Sequence, residues 1–142
     1  MDQRVIPNEI LLEDVASLLD EGRDVTLAPK GSSMLPFIKE GRDSVVLRRM
    51  PDVEEGDIVL ARLEDHRYVL HRVMTVNRNR LTLMGDGNLG QTEVCGKADV
   101  IGTVVFLVRG DKTLKPTKGI LWKHLLPFRR ILLGIYRRIP CK

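Results

Sequence analysis

The sequence predicts a mainly β protein of the α+β class, with a coiled or barrel-like antiparallel sheet and a helix at each end of the chain. Near the N-terminus, apolar residues recur with a helical period, and through the long middle of the chain the period changes to two. A helical period returns in a basic C-terminal stretch. Many short, closely spaced strands favour an antiparallel, coiled sheet.

The first predicted element is an amphipathic helix over residues 8–21, in which Asn8 is the cap and Gly22 ends the helix. After Gly22 the sequence predicts strands that are rich in β-branched residues and are separated by glycine and asparagine turn signals. These strands are Val25–Ala28, Ser44–Arg49, Asp57–Leu63, Tyr68–Val76, Arg80–Met84 and Val100–Val108.

We expect one domain with three parts: a helix packed on the body (1–23), the body itself (24–111) and a basic amphipathic segment (112–142). The first two parts together carry 14 basic and 19 acidic residues, whereas the third carries 9 basic residues and no acid. Pro127 is expected to kink or break the C-terminal helix. Two interpretations of this helix stay open: it docks on the sheet with a solvated basic face, or it lies on a membrane surface.

Cysteine content and apolar runs limit the compartment and the cofactors. Cys95 and Cys141 form no disulfide framework and no CxxC pair, which favours a reducing compartment. The N-terminus lacks the apolar core of a signal peptide, and no uncharged apolar run reaches the roughly 18 residues that cross a bilayer. The histidines and cysteines lack metal-ligand spacing, so neither a metal nor another cofactor is predicted. We expect a cytoplasmic protein, free or held peripherally on the inner face of the membrane.

Three residues supply the groups of an activated-serine site. Ser33 lies in a turn that begins with Gly31, His71 lies in a predicted strand, and Asp86 follows a later strand. A serine needs a base to become a good nucleophile, and usually a third group that orients the base. A neutral histidine can act as that base near pH 7. Asp86 also suits a hairpin turn, so the roles of orienter and turn former both stay open.

The residues around Ser33 are predicted to complete the site. Backbone N–H groups of the turn that contains Ser32 can face a developing oxyanion, and the Ser32 hydroxyl is a further candidate donor. Met34 and Pro36 are expected to form an apolar wall beside the nucleophile.

Five sequence boxes between about Val25 and Val108 resemble, in order and spacing, the conserved boxes of the signal peptidase I superfamily. They are GSSMLP (31–36), GDIVLA (56–61), VLHRV (69–73), MGDGN (84–88) and DVIGTV (99–104). With a histidine at position 71, the chain is similar to the archaeal and endoplasmic-reticulum type. The bacterial type has a lysine there, as do the more distantly related self-cleaving repressor proteases.

The resemblance implies a serine peptidase with Ser33 as nucleophile, His71 as general base and Asp86 as the acid that supports the histidine. The expected partner is a peptide or protein substrate, cleaved in an extended or leader segment that is added to a strand edge, with small side chains near the cut. The alternative is a non-catalytic peptide-binding module on the same fold. The basic segment predicts contact with an anionic membrane surface or an acidic partner, and the scarcity of aromatic residues disfavours nucleic acid.

Overall fold

The structure, a computed structural model, describes residues 3–4, 9–31, 33–87, 90–118 and 132–133. Asn8, Ser32, Pro127 and most of the predicted C-terminal helix therefore lie outside the described residues. The described elements are β1 (Gln3–Arg4), α1 (Glu9–Asp20), β2 (Val25–Leu27), β3 (Asp43–Arg48), β4 (Ile58–Arg62), β5 (Tyr68–Asn77), β6 (Arg80–Met84), β7 (Glu93–Gly96), a short 3-10 helix (Lys97–Asp99), β8 (Val100–Arg109) and β9 (Lys112–Leu114). None of the helices among these residues has the length and apolar character needed to span a membrane.

The nine described strands form one sheet in the order β1-β2-β3-β8-β4-β5-β6-β7, with β9 also paired to β8. Every pairing is antiparallel except that of β1 with β2. The mainly antiparallel α+β class is therefore confirmed, and within the described residues the sheet is open and not closed into a barrel. Each strand expected from the sequence is present with bounds that differ by at most one residue.

Strand β8 joins two halves of the sheet. Thr103 on β8 lies opposite Arg48 of β3 on one side and opposite Val59 of β4 on the other. Val59 in turn lies opposite His71 of β5. The half formed by β1 to β3 carries the loop with Ser33, and the half formed by β4 to β7 carries His71. The pairing of β8 therefore sets how the two candidate residues stand relative to each other.

Helix α1 ends at Asp20, one residue before the predicted end, and Gly22 follows as the predicted stop. Gly22 has a φ of +86°, which favours glycine. Its N–H donates to the Leu19 carbonyl (3.0 Å), and the Arg23 N–H donates to the Leu18 carbonyl (3.1 Å). These two bonds satisfy carbonyls of the last turn and form a Schellman motif. The Cβ of any residue at Gly102 of β8 would lie 2.9 Å from Leu19 Cδ1, so glycine there lets the helix pack closely on the sheet.

Apolar side chains fill the two faces of β4. Ile58 and Leu60 belong to the buried cluster that α1 covers, and Val59 and Ala61 belong to a second buried cluster. This alternation follows from the period of two in a β-strand. Strand β4 is therefore buried on both faces, which gives β5 and His71 a rigid neighbour.

The described part of the C-terminal segment contacts the body next to the Ser33 loop. Leu133 is 2% exposed and forms a small buried cluster with Leu35, against which Phe37 and Leu132 pack. Leu133 therefore packs on Leu35, two residues after the candidate nucleophile.

Candidate active site

Ser33 and His71 line the same cavity, whose volume is about 480 Å³. Ser33 is half-buried in the loop after β2, and His71 lies near the start of β5. The structure thus brings a hydroxyl and an imidazole, 38 positions apart in the chain, to one concave surface. A concave apolar site with a few converging polar groups is the usual form of a binding or catalytic site.

The Ser33 loop is fastened to the turn that follows β6. The Gly87 N–H donates to the Ser33 carbonyl at 2.7 Å, and the Asp86 N–H donates to Met34 Sδ at 3.4 Å. Gly31 has a φ of +89°, so the turn before Ser33 needs glycine. The two bonds hold the Ser33 carbonyl and the Met34 side chain against the turn that follows β6.

His71 is 6% exposed, and its Nδ1 atom is buried without a hydrogen-bond partner among the described residues. Burial lowers the pKa of His71 from its usual 6.5, while the negative charges of Glu93 and Asp86 act in the opposite direction. The net lowering keeps the imidazole neutral at pH 7. A neutral imidazole can accept the proton of a hydroxyl that comes within hydrogen-bond distance.

Glu93, the first residue of β7, is the carboxylate that faces His71. Its Oε1 atom lies 4.0 Å from His71 Nδ1, and its other oxygen pairs with Arg67 at 3.2 Å. Our prediction from the sequence did not include Glu93 among the site residues. The signal that points to it is its place as the first acid after Asp86.

Asp86 pairs with Arg72, the residue after His71. The Arg72 guanidinium donates from Nε to Oδ1 at 2.8 Å and from Nη2 to Oδ2 at 2.7 Å. Nη1 of the same side chain donates to the carbonyls of Gly56 (2.8 Å) and Thr117 (2.5 Å), and the guanidinium lies 5.1 Å from the ring centre of Phe37. The Arg72 side chain thus ties together distant parts of the chain.

The Arg72–Asp86 pair supports the Ser33 loop through the backbone. Because the Asp86 carboxylate is anchored, its own N–H and that of Gly87 are held where they meet Met34 and Ser33. Asp86 also acts on His71 at a distance, because its negative charge raises the histidine pKa. The described contacts of Asp86 are therefore those of a turn former held by a buried arginine.

The other predicted site residues fall in different places. Met34 is buried and lines the cavity with Ser33. Pro36 lines a different cavity, of about 270 Å³, together with Phe37 and Arg72. The N–H groups of Phe37 and Ile38 both bond to the Met34 carbonyl, and this tight turn carries Pro36 away from the first cavity. Ser32 lies outside the described residues, and in the part of the chain that the structure describes no cluster of acids, histidines or cysteines could hold a metal ion.

Comparison with known proteins gives the family. The model of the Peptidase S24-like family matches residues 6–105, which is more than half of the chain and contains Ser33, His71 and Asp86. The chain belongs to this family. Membership of the S24-like family is broader than the signal peptidase I type that the sequence boxes resemble, and the comparisons do not select that type.

A curated relative of this S24-like chain is a LexA repressor from Oleidesulfovibrio alaskensis. The two are 38% identical over 64 residues, which is 45% of this chain and 30% of the repressor. The matched stretch therefore spans less than a third of the length of that relative.

Proposed function

We propose that this S24-like chain is a serine peptidase in which Ser33 is the nucleophile and His71 the general base. The observation that carries the proposal is that both residues line one cavity and that burial keeps the histidine neutral. Family membership supports it, because the match includes both residues. The histidine at position 71 is the feature by which the chain resembles the Ser-His type of signal peptidase I.

The proposed reaction needs only side chains of this protein and water. His71 takes the Ser33 proton as the oxygen attacks the scissile carbonyl, and the imidazolium then gives that proton to the leaving amine. Water then takes the place of the amine. His71 accepts a proton from the water as its oxygen attacks the acyl carbon, and the imidazolium returns that proton to the Ser33 oxygen as the acyl group leaves. Backbone N–H groups of the 31–33 turn, with the Ser32 hydroxyl as a candidate, would hold the oxyanion. Glu93 Oε1 lies 4.0 Å from His71 Nδ1. A movement of about 1 Å would bring the two atoms to hydrogen-bond distance, and Glu93 would then stabilise the imidazolium.

The proposed substrate is an extended peptide segment. Residues 68–71 of β5 pair with β4 on one edge, but pairing with β6 on the other edge begins only at Arg72, opposite Met84. No described strand covers that second edge, which lies beside the cavity. An extended peptide could add there as a strand, held by backbone hydrogen bonds next to Ser33.

A second candidate function is cleavage of the chain itself or of a tethered domain. It is favoured by the 38% identity to a LexA repressor, since self-cleaving repressor proteases are distant relatives of the superfamily that the sequence boxes resemble. Self-cleavage would give fragments at a rate that does not depend on protein concentration. Cleavage of a separate substrate would instead depend on the concentrations of both molecules.

We also propose, on charge alone, that the basic segment 112–142 binds anionic lipid. Attraction of a basic residue to such a surface is worth about 1 kcal/mol. Replacing Arg129, Arg130, Arg137 and Arg138 by Gln should reduce cosedimentation with anionic vesicles and leave Thr117 and Leu133, which contact the body, unchanged. Equal cosedimentation of both proteins would rule out this segment as a lipid-binding site.

The peptidase proposal is tested by incubating the purified chain with a mixed peptide library and identifying cut products by mass spectrometry. Ser33→Ala and His71→Ala should each abolish the products while the proteins stay folded. Ser17→Ala and His66→Ala, at exposed positions away from the cavity, are the matched controls and should cut normally. Binding of peptides without any cutting by the unmodified chain would instead support the non-catalytic peptide-binding module.

A further inference from the structure

Building on the proposed peptidase function, we infer that the cavity accepts a large aliphatic side chain next to the scissile bond. This differs from the small side chains that the signal peptidase resemblance implies. The inference rests on the size of the cavity, on the chemistry of its walls and on the position of its charged residues.

The cavity is much larger than a small side chain requires. Its volume of about 480 Å³ lies within the roughly 300–1,000 Å³ that is typical of sites for whole small ligands. One water molecule occupies about 30 Å³ of liquid, and a methyl group is of similar size. An alanine side chain would therefore leave most of the cavity to water, in contact with apolar walls.

The walls are aliphatic and continuous with the protein core. Leu27, Ile38, Val45 and Leu60 line the cavity and also belong to the buried cluster beneath α1. The cavity therefore reaches from Ser33 at the surface to the packed interior, so that a long apolar side chain could be buried along its whole length. Burial of each additional methylene removes apolar surface from water and favours binding.

The charged residues lie at the opening of the cavity. Lys30, Glu40 and Arg67 line it but are exposed to solvent, whereas the deeper lining residues are apolar apart from His71. A charged substrate side chain inside the cavity would lose its hydration without gaining a partner at depth. The walls therefore select against charged side chains and in favour of aliphatic ones.

The inference is tested with two activated esters, the p-nitrophenyl esters of N-acetylalanine and N-acetylleucine. Both present the same carbonyl to Ser33, and the rate that Ser33→Ala retains is subtracted as background. One methylene in an apolar pocket changes kcat/KM by roughly 10- to 200-fold. We therefore expect the leucine ester to react at least about tenfold faster.

A filling variant makes the test sharper. Ala28 is half-buried at the cavity wall, and Ala28→Leu should remove the preference for the leucine ester, because the larger side chain fills part of the cavity. Ala98→Leu, at an exposed position outside the cavity, is the matched control and should keep the preference.

The outcomes separate the two proposals. Ser33-dependent hydrolysis with equal rates, or with the alanine ester faster, overturns the size inference and leaves the peptidase proposal intact. Absence of any Ser33-dependent hydrolysis overturns the peptidase proposal itself. The comparison of the two esters on the unmodified chain decides between these outcomes even if Ala28→Leu fails to fold.

Discussion

Arg72 and Asp86 form a two-bonded ion pair whose side chains are 2% and 0% exposed. A carboxylate and a guanidinium in this geometry bond more strongly than a single charged contact, because two parallel hydrogen bonds form at once. The same arginine bonds to Gly56 and Thr117, so one side chain joins four parts of the chain. Its neighbour in the sequence is His71, and a disturbance of the pair would therefore reach both candidate catalytic residues.

Loss of the Asp86 carboxylate should destabilise the protein strongly. Asp86→Ala leaves the buried Arg72 guanidinium without its counter-charge, which costs about 3–5 kcal/mol in the free energy of unfolding. The double variant Arg72→Met/Asp86→Leu should cost less than the two single changes added together, because neither charge is left buried alone. Urea denaturation of the unmodified chain, Arg72→Met, Asp86→Leu and the double variant measures this coupling.

The matched control is the exposed pair of Arg49 and Asp20, at 2.8 Å. Asp20→Ala should cost no more than about 1 kcal/mol, because solvent screens exposed pairs. An equally small loss for Asp86→Ala would show that the buried pair does not anchor the Ser33 loop.

The pH profile of cleavage should depend on residue 71. Because burial lowers the pKa of His71 below its usual 6.5, the midpoint of the acid limb of kcat/KM should lie below pH 6.5, and activity should fall as acid protonates the base. His71→Lys should move this acid limb to alkaline pH, because a lysine must lose a proton with a pKa near 10.4 before it can act. An acid limb that stays in place in the variant would assign it to another group.

Glu93 and Arg67 should move the same limb in opposite directions. The charge of Glu93 raises the pKa of His71 and that of Arg67 lowers it. Glu93→Gln should therefore shift the acid limb to lower pH and reduce the plateau about tenfold, because the imidazolium loses a nearby carboxylate. Arg67→Gln should shift the limb to higher pH. Glu64→Gln, in an exposed turn, is the control, and identical shifts in all three variants would exclude specific action on His71.

Gly56 should tolerate substitution worse than other glycines in turns. It has a φ of +93°, and a Cβ there would lie 2.8 Å from the Lys118 carbonyl oxygen. Gly41 has a φ of +79° with open space around it, so Gly41→Ala measures the cost of the backbone conformation alone, about 1 kcal/mol. Gly56→Ala should lower the free energy of unfolding, measured by heat or urea, by at least about 1 kcal/mol more than Gly41→Ala does. Equal losses would mean that the backbone at Lys118 moves away from the new Cβ without cost.

The strands of five or more residues could be predicted because each is long enough to show a period of two and is bounded by turn residues. Of the four strands with two to four residues, which are too short to display a period, β2 was predicted and β1, β7 and β9 were missed. Chain order and the resemblance to known boxes were enough to select Ser33 and His71, and the structure places both on one cavity. The roles of Ser33 as nucleophile and of His71 as general base remain predictions.

The partners of the acids could not be predicted, because they depend on strand register. Pairing of β5 with β6 sets Arg72 opposite Met84, and Asp86 follows two residues later, within reach of the guanidinium. Pairing of β6 with β7 sets Leu83 opposite Glu93, and this brings Glu93 toward His71. A shift of either register by one residue would exchange the faces and give different partners.

The position of β8 in the chain determines when, during synthesis, the two halves of the sheet can pair. Every candidate catalytic group has already been made when a ribosome reaches Asp99, yet the strand that unites the two halves of the sheet is still to come. Pairings between segments so far apart in the chain form late, because they must overcome the entropy of closing long loops. Until β8 has been made, β3 and β4 have no common neighbour, so the cavity that Ser33 and His71 line together is completed only after that strand has paired.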